Sequence, residues 1–332
     1  MRLAIIGSYG HVGVVLSALQ ADGSAALGVE VVGVAPWGAA DALGSVDRAL
    51  PGRGRRFADW RSMLEKEKPD VAAVFTPFAQ LATVATAAAE RGCHVFMEKP
   101  VATTAADLEA LREAVARSGV ELAACFAMRG EPAFRTIRQA IADGRIGRVV
   151  YAAAQKSYPF NERDEFYRTR ASYGGTIPWI GIHALDFIAW CTGQDYRRVA
   201  AVAGNFAHPS RPGMEDAGGI LAELINGAAA VVNFDYLRPW GQAKRPWGDD
   251  RLRVAGTEGI LETTDCGQAV ELMTPDAVES LELLGPVNVF EAFLAGLEGR
   301  REPLITTAES FRMTEVALRA RDAQDGGKFL NV

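Results

Sequence analysis

Three glycines, Gly7, Gly10 and Gly13, surround Ser8, Tyr9, His11 and Val12 near the start of the chain. Glycine has no Cβ, so such a loop can turn tightly and let the phosphates of a nucleotide approach the backbone N–H groups that open a helix. The spacing is GxxGxxG, one residue looser than the usual dinucleotide fingerprint, and the same residues would also serve as a plain strand-to-helix turn. A second group is Glu98-Lys99-Pro100. At the C-terminal edge of a parallel sheet, where ligands of such folds bind, the Lys99 ammonium could donate to a substrate hydroxyl and favour the alkoxide. Without that setting it is an ordinary surface cation. Pro100 restricts the backbone of the lysine before it.

The elements around these groups decide between the readings. Apolar runs at 3–6, 29–34, 71–76, 94–97 and 121–126 alternate with helical stretches at 12–20, 60–66, 81–90 and 107–116. Gly92 stands as a helix stop, and Thr103-Thr104 as the entry to the last helix. Strands apolar on both faces and separated by helices imply a doubly wound parallel sheet. The second strand ends Val34-Ala35-Pro36-Trp37, with no acid for ribose hydroxyls and no arginine for a 2′-phosphate, so the cofactor is NAD or NADP. Trp37 either stacks on adenine or packs its own loop. Arg53, Arg55 and Arg56 read as a solvated loop.

After Phe126 the rhythm changes. A helix at 132–142 precedes a strand at 149–158, and further strands at 199–206, 219–225, 228–236, 251–254, 260–263 and 269–273 follow with short turns such as Asn226-Gly227. Helices are expected at 182–192, 287–298 and 307–324. The expected fold is α/β: an N-terminal Rossmann domain over 1–127, and a C-terminal α/β domain over 128–332 with an open, mostly antiparallel sheet for substrate binding and oligomerisation.

Composition narrows the function classes. A chain of 332 residues exceeds what one core usually fills, which agrees with two domains. The net charge of -6 and pI near 5.4 argue against a nucleic-acid partner. No run of 18 apolar residues suggests a membrane span, and the opening residues enter a strand rather than a signal peptide. Cys93, Cys125, Cys191 and Cys266 are scattered, so they read as reduced packing residues of a cytoplasmic protein, and no cluster has metal-binding spacing.

The glycine loop, Thr76-Pro77 and the run Gly92-Cys93-His94-Val95-Phe96-Met97-Glu98-Lys99-Pro100 together resemble the glucose–fructose oxidoreductase / inositol dehydrogenase / rhizopine-catabolism (Gfo/Idh/MocA) family. The resemblance is close over 1–130 and more diffuse through Arg129, Gly144–147 and 174–186. It implies NAD(P)-dependent oxidation or reduction of a sugar, polyol or related alcohol, and a homodimer or homotetramer joined through the C-terminal sheet. The candidate cofactor residues are 7–13, Trp37 if it stacks on adenine, Thr76, Pro77, Glu98 and Lys99; by the resemblance, Lys99 touches both substrate and nicotinamide. Gly174-Gly175 and the residues up to Asp186 resemble the family's glycine-rich turn into a helix with a catalytic histidine, here His183. The family commonly has Asp four residues before that histidine, and this chain has Trp179.

Asp186 stands at i+3 from His183, on the same helical face and able to orient the imidazole, a natural proton acceptor for an alcohol. The other reading of His183 is a satisfied core histidine. Trp179 either offers an apolar face to the substrate or marks a broken acid–base pair. His11 and His208 show no partner that argues for catalysis, and His94 reads as packing in a strand. The loops at 157–173 and 237–247 are rich in aromatic and basic side chains, which suit either a polyhydroxylated or carboxylated ligand or a subunit contact. With Arg129, Tyr158 and Trp240 added to Lys99, Trp179 and His183, they give the candidate substrate residues. Two other functions stay open: a nucleotide-binding regulator or redox sensor without chemistry, and a lyase or isomerase using tightly held NAD as a transient oxidant.

Overall fold

The computed structural model describes residues 1–20, 27–38, 41, 43–239 and 247–332. They form two compact units, 1–127 with 288–314, and 128–287 with 315–332.

The first unit is built on β1 (Arg2–Ile6), β2 (Glu30–Ala35), β3 (Arg55–Arg56), β4 (Val71–Val74), β5 (His94–Met97) and β6 (Leu122–Ala124). All pairings are parallel, in the order β3-β2-β1-β4-β5-β6. Leu3, Ala4, Ile5 and Ile6 are fully buried, as a strand covered by helices on both faces requires. The helices between strands are bounded by their sequence. Asp59 and Thr104 accept from Ser62 N (2.8 Å) and Asp107 N (3.1 Å), and Gly119 ends the helix Ala105–Ser118 in the left-handed conformation. The basic patch does not end as a loop, because Arg55–Arg56 form the edge strand β3. A short helix, Gly44–Ala49, precedes it.

Residues 288–314 complete this unit. Asn288 caps the helix Val289–Leu297, and its side-chain amide donates to Val14 O at 2.9 Å. Phe290 and Phe293 from that helix lie 5.1 and 5.7 Å from Phe96 on β5. The open edge of β6 is closed by hydroxyls of the next helix: Leu122 N donates to Thr307 Oγ1 (2.9 Å) and Ala124 N to Ser310 Oγ (3.0 Å).

The second unit carries β7 (Val149–Ser157), β8 (Tyr196–Gly204), β9 (Ala217–Leu224), β10 (Ala229–Asp235), β11 (Asp249–Gly256), β12 (Ile260–Thr264), β13 (Ala269–Met273), β14 (Val278–Ser280) and β15 (Leu330–Asn331). Their order is β14-β13-β12-β11-β7-β10-β9-β8-β15. Only β7 and β10 pair in parallel among the described residues, so the sheet is mixed and mostly antiparallel. The inner face is covered by the helix Ile182–Thr192, which packs on Pro132–Ala142 through stacked Phe187 and Phe134 at 4.5 Å. On the outer face, Ala200, Leu221, Val231 and Ala153 form one row across β8, β9, β10 and β7; Leu221 and Val231 are exposed, and Ala200 and Ala153 half-buried. No helix among the described residues is long and apolar enough to cross a membrane.

Candidate functional site

In the first unit the glycine loop closes against two backbones. Gly7 has φ +80°, and a Cβ there would fall 2.2 Å from Phe75 O; Gly10 has φ +59°, and a Cβ would fall 2.0 Å from Glu98 Oε2. Both positions therefore demand glycine. Gly13 has no neighbour within 4 Å of its would-be Cβ, so space alone does not explain it. Gly7 N donates to Ala35 O and Tyr9 N to Phe75 O, each at 3.0 Å, which hangs the loop across the ends of β2 and β4.

Glu98 locks this loop to β5. Its carboxylate is fully buried, accepts from the backbone N–H of His11 and from Lys99 N (2.8 Å), and lies 3.0 Å from His11 Nδ1. Burial alone would raise this carboxyl, but the charge and hydrogen bonds of His11, with Lys99 adding its charge, hold it below the ordinary carboxylate range. His11 thus has an acidic partner, which the sequence reading denied it, because that partner lies 87 residues away. Lys99 is itself fully buried, its peptide bond to Pro100 is cis, and Thr76 at the end of β4 is also buried.

The structure also supplies the acid that β2 lacks. Asp41 is buried, accepts from Ser8 Oγ at 2.6 Å, and receives the N–H groups of Trp37 (3.1 Å) and Leu43 (3.2 Å). It ties the glycine loop to the Trp37 loop. Inspection of the strand end missed it, although it is the first acid after β2. Glycines without room for a Cβ, a nine-residue helix (Val12–Gln20) starting beside them and a nearby carboxylate fit a dinucleotide.

In the second unit, Gly174 and Gly175 have φ +91° and +106° and feed the π-helical turn Ile177–Gly181, which holds Trp179 and opens directly into the helix Ile182–Thr192. Such turns collect at functional sites. Glu215, unnoticed in the sequence, fixes this entry: it accepts from Tyr173 OH (2.8 Å) and Thr176 N (3.0 Å) and pairs with Arg170. His183 sits in the first helical turn, 3% exposed. Asp186 is paired with Arg129 by three contacts of 3.2, 3.1 and 2.7 Å, both side chains 1% exposed. Arg129 thus lies behind the helix as a buried counter-ion.

Tyr158 is buried among rings, stacked on Trp247 at 4.5 Å and edge-on to Tyr236 at 5.2 Å, while Trp179 meets Tyr167 at 6.2 Å. Burial pushes the Tyr158 phenol up to about 12. Trp240 lies outside the described residues. His208, read from sequence as lacking a partner, has its Nδ1 2.9 Å from Asp216 Oδ2. His94 is only half-buried, and its Nδ1 accepts from Glu121 N at 2.9 Å.

Comparison with known proteins completes the picture. Residues 1–126 match the oxidoreductase family with an NAD-binding Rossmann fold, and residues 134–262 match the GFO/IDH/MocA C-terminal domain. The chain belongs to the Gfo/Idh/MocA family. In structure this family member is similar to a proposed oxidoreductase from Thermotoga maritima, at 33% identity and TM-score 0.93, with 100% of each chain covered. In sequence it is 29% identical to the uncharacterised oxidoreductase YrbE of Bacillus subtilis over 67% of this chain and 63% of YrbE, so it spans a little under two thirds of that relative. It is also 29% identical to 1,5-anhydro-D-fructose reductase of Ensifer adhaerens, over 72% of this chain and 73% of that one.

Proposed function

We propose that this protein is an NAD(P)-dependent dehydrogenase or reductase that transfers a hydride between nicotinamide and a carbinol carbon of a sugar, polyol or related small molecule. The observation that carries the reading is the lock of Gly10 and His11 onto Glu98, which ties the nucleotide-type loop to the residue next to the buried Lys99. A buried ammonium donates more strongly than one in water, and Lys99 serves to stabilise the developing alkoxide. His183 takes the hydroxyl proton in oxidation and returns it in reduction. Asp186, held by Arg129, fixes the start of the helix that carries His183, so Arg129 acts as a positioning residue. Tyr158 and Trp179 supply apolar faces for the carbon skeleton. When bound, nicotinamide supplies the hydride acceptor or donor. The glycines 7, 10 and 13, Ser8, Thr76 and Pro77 hold the dinucleotide, Trp37 lies toward its adenosine end, and Asp41 takes ribose hydroxyls, which favours NAD over NADP. The exposed row through Leu221 and Val231 is the surface through which the chain forms a homodimer or homotetramer.

Titration of the purified chain with NADH and with NADPH, read by energy transfer from tryptophan, tests the cofactor. Lys99→Met should keep NADH binding and lose about 10²- to 10⁴-fold in turnover on a responsive polyol; full turnover removes Lys99 from the scheme. Trp179 favours a second reading, a nucleotide-binding regulator that keeps the fold without the chemistry. Tight NADH binding with no turnover across polyols, sugars and sugar acids would select it.

A further inference from the structure

The π-helical turn Ile177–Gly181 needs support from outside itself. Ile182 N donates to Ile177 O, five residues back instead of four, so the turn carries one residue more than an α-turn. Squeezing that residue out would rotate the chain on one side of it by about 100°, one residue's share of an α-helical turn. Trp179 lies inside the turn and His183 just beyond it. Downstream the helix is pinned by Phe187 on Phe134 and by Asp186 on Arg129. A change of register would therefore fall on Trp179 and on the first helical turn, which carries His183.

The upstream end is held from the segment before β9 and from the C-terminal helix. Thr176, the residue before the turn, donates through its N–H to the Glu215 carboxylate (3.0 Å) and through Oγ1 to the Glu215 carbonyl (2.6 Å). The Tyr173 hydroxyl, which donates to the same carboxylate, lies 2.8 Å from Thr176 Oγ1. Thr176 and Tyr173 are fully buried and Glu215 nearly so. Gly213 lets this segment come close, since a Cβ there would fall 2.1 Å from Arg168 O. Burial alone would raise the Glu215 carboxyl, but the hydrogen bond and charge of Arg170, with the Thr176 N–H, hold it below the ordinary carboxylate range. Arg170 spends its other terminal nitrogen on both oxygens of Asp325, at 2.6 and 2.7 Å, and Arg321 donates to Gly174 O at 2.9 Å. Asp325 and Arg321 stand near the end of the helix Thr307–Gly326, in the part that belongs to the second unit. A Cβ on Gly175 would lie 3.4 Å from Arg321 and 3.7 Å from Arg170, so both arginines close on the glycine entry of the turn.

We propose that Glu215 and Arg170 are positioning residues for Trp179 and His183, acting through the register of the π turn and anchored by Asp325 and Arg321. The proposal rests on His183 as the proton acceptor of the dehydrogenase reading. The Glu215 carboxylate takes the Thr176 N–H at the start of the turn, where no earlier helical carbonyl is available, by a charge-assisted hydrogen bond. Arg170 and Asp325 hold that carboxylate in place. Released, the entry settles toward an α-register, and a displacement of about 1 Å at a reacting group can cost 10²-fold in rate.

The test labels the full chain with 5-fluorotryptophan and follows it by ¹⁹F NMR, with Trp179→Phe identifying the Trp179 resonance. Glu215→Gln and Arg170→Met should move that resonance and leave those of Trp60 and Trp190 in place. On a responsive polyol, Glu215→Gln should lower kcat about 10- to 100-fold, raise the polyol KM and shift the midpoint of the kcat–pH profile, with NADH affinity unchanged. Asp325→Asn, at a half-exposed carboxylate, should give a smaller change in the same direction, and it carries the test if a Glu215 variant does not fold. A Trp179 resonance unmoved in folded Glu215→Gln and Asp325→Asn overturns the proposal. So does a kcat loss that leaves KM and the pH midpoint in place, since that is the mark of fewer folded molecules and nothing more. A parent chain without turnover on any polyol would instead strike the dehydrogenase reading, and the ¹⁹F shifts would still decide whether this clamp sets the turn.

Discussion

Replacing Arg129 with leucine removes one half of the buried pair with Asp186. Both side chains are 1% exposed, and three N–H···O contacts of 2.7 to 3.2 Å join them. The carboxylate left behind has been taken from water and has lost its counter-ion, which costs about 3–5 kcal/mol in comparable buried pairs. At about 2–4 °C per kcal/mol for a unit of this size, the melting temperature should fall by about 6–20 °C. The double variant Arg129→Leu with Asp186→Leu removes both charges and should recover most of that loss, because isosteric apolar pairs replace buried ion pairs at little cost. Calorimetric melting of the parent, both singles and the double measures the coupling directly. A single variant that melts within 1 °C of the parent, or a double no more stable than the singles, would refute the reasoning. If Asp186 also positions the histidine helix, the double will be stable yet slower than the parent in turnover.

Asp41→Ala should shift the NADH-to-NADPH affinity ratio toward NADPH by about tenfold, the worth of one charge-assisted hydrogen bond to a ribose hydroxyl; an unchanged ratio refutes the assignment. Glu98 has a folded-state pKa below its unfolded value of about 4.3. Its stabilisation is therefore present above that pH and lost as the pH falls through the lower, folded value. Glu98→Gln should lower the melting temperature at pH 7 and converge on the parent only once the pH has fallen below the folded-state value, whereas parallel curves would show that the carboxylate contributes no charge-dependent stability. If the proposed homodimer or homotetramer forms through the exposed row, Leu221→Glu should give a monomer by light scattering where the parent is larger, with an unchanged melting profile at low concentration; an unaltered mass refutes that surface as the contact.

Much of this was legible because the strongest signals are local. Helix bounds at Pro132–Ala142 and Ile182–Thr192 and the strand His94–Met97 follow from periodicity and stops that lie in the segments themselves. What escaped has a common physical reason. β3, β14 and β15 are two or three residues long and mostly polar or exposed, so their pairing is set by neighbours rather than by pattern. The parallel pairing of β7 with β10 depends on which strand enters the sheet between others, and no turn residue encodes it. His11 with Glu98, His208 with Asp216, and Asp41 with Ser8 are partnerships made by folding, between residues whose types gave no hint of their reach. Among the candidate residues, Lys99 and His183 were singled out by motif, while Asp41 and Glu215 emerge only from their hydrogen bonds.

The return of residues 288–314 to the first unit has a consequence for how the chain is made. Phe96 emerges from the ribosome early, but Phe290 and Phe293, which cover it, and Thr307 and Ser310, which close the edge of β6, come almost two hundred residues later. At a synthesis rate of about 5–20 residues per second, the nascent Rossmann sheet waits roughly 10–40 s with an apolar face and an open strand edge. A gene fragment ending at residue 127 carries the same defect permanently. Such a fragment is expected to engage chaperones and aggregate, and supplying 288–314 by circular permutation or as a fused segment is the way to express a nucleotide-binding unit that stays soluble.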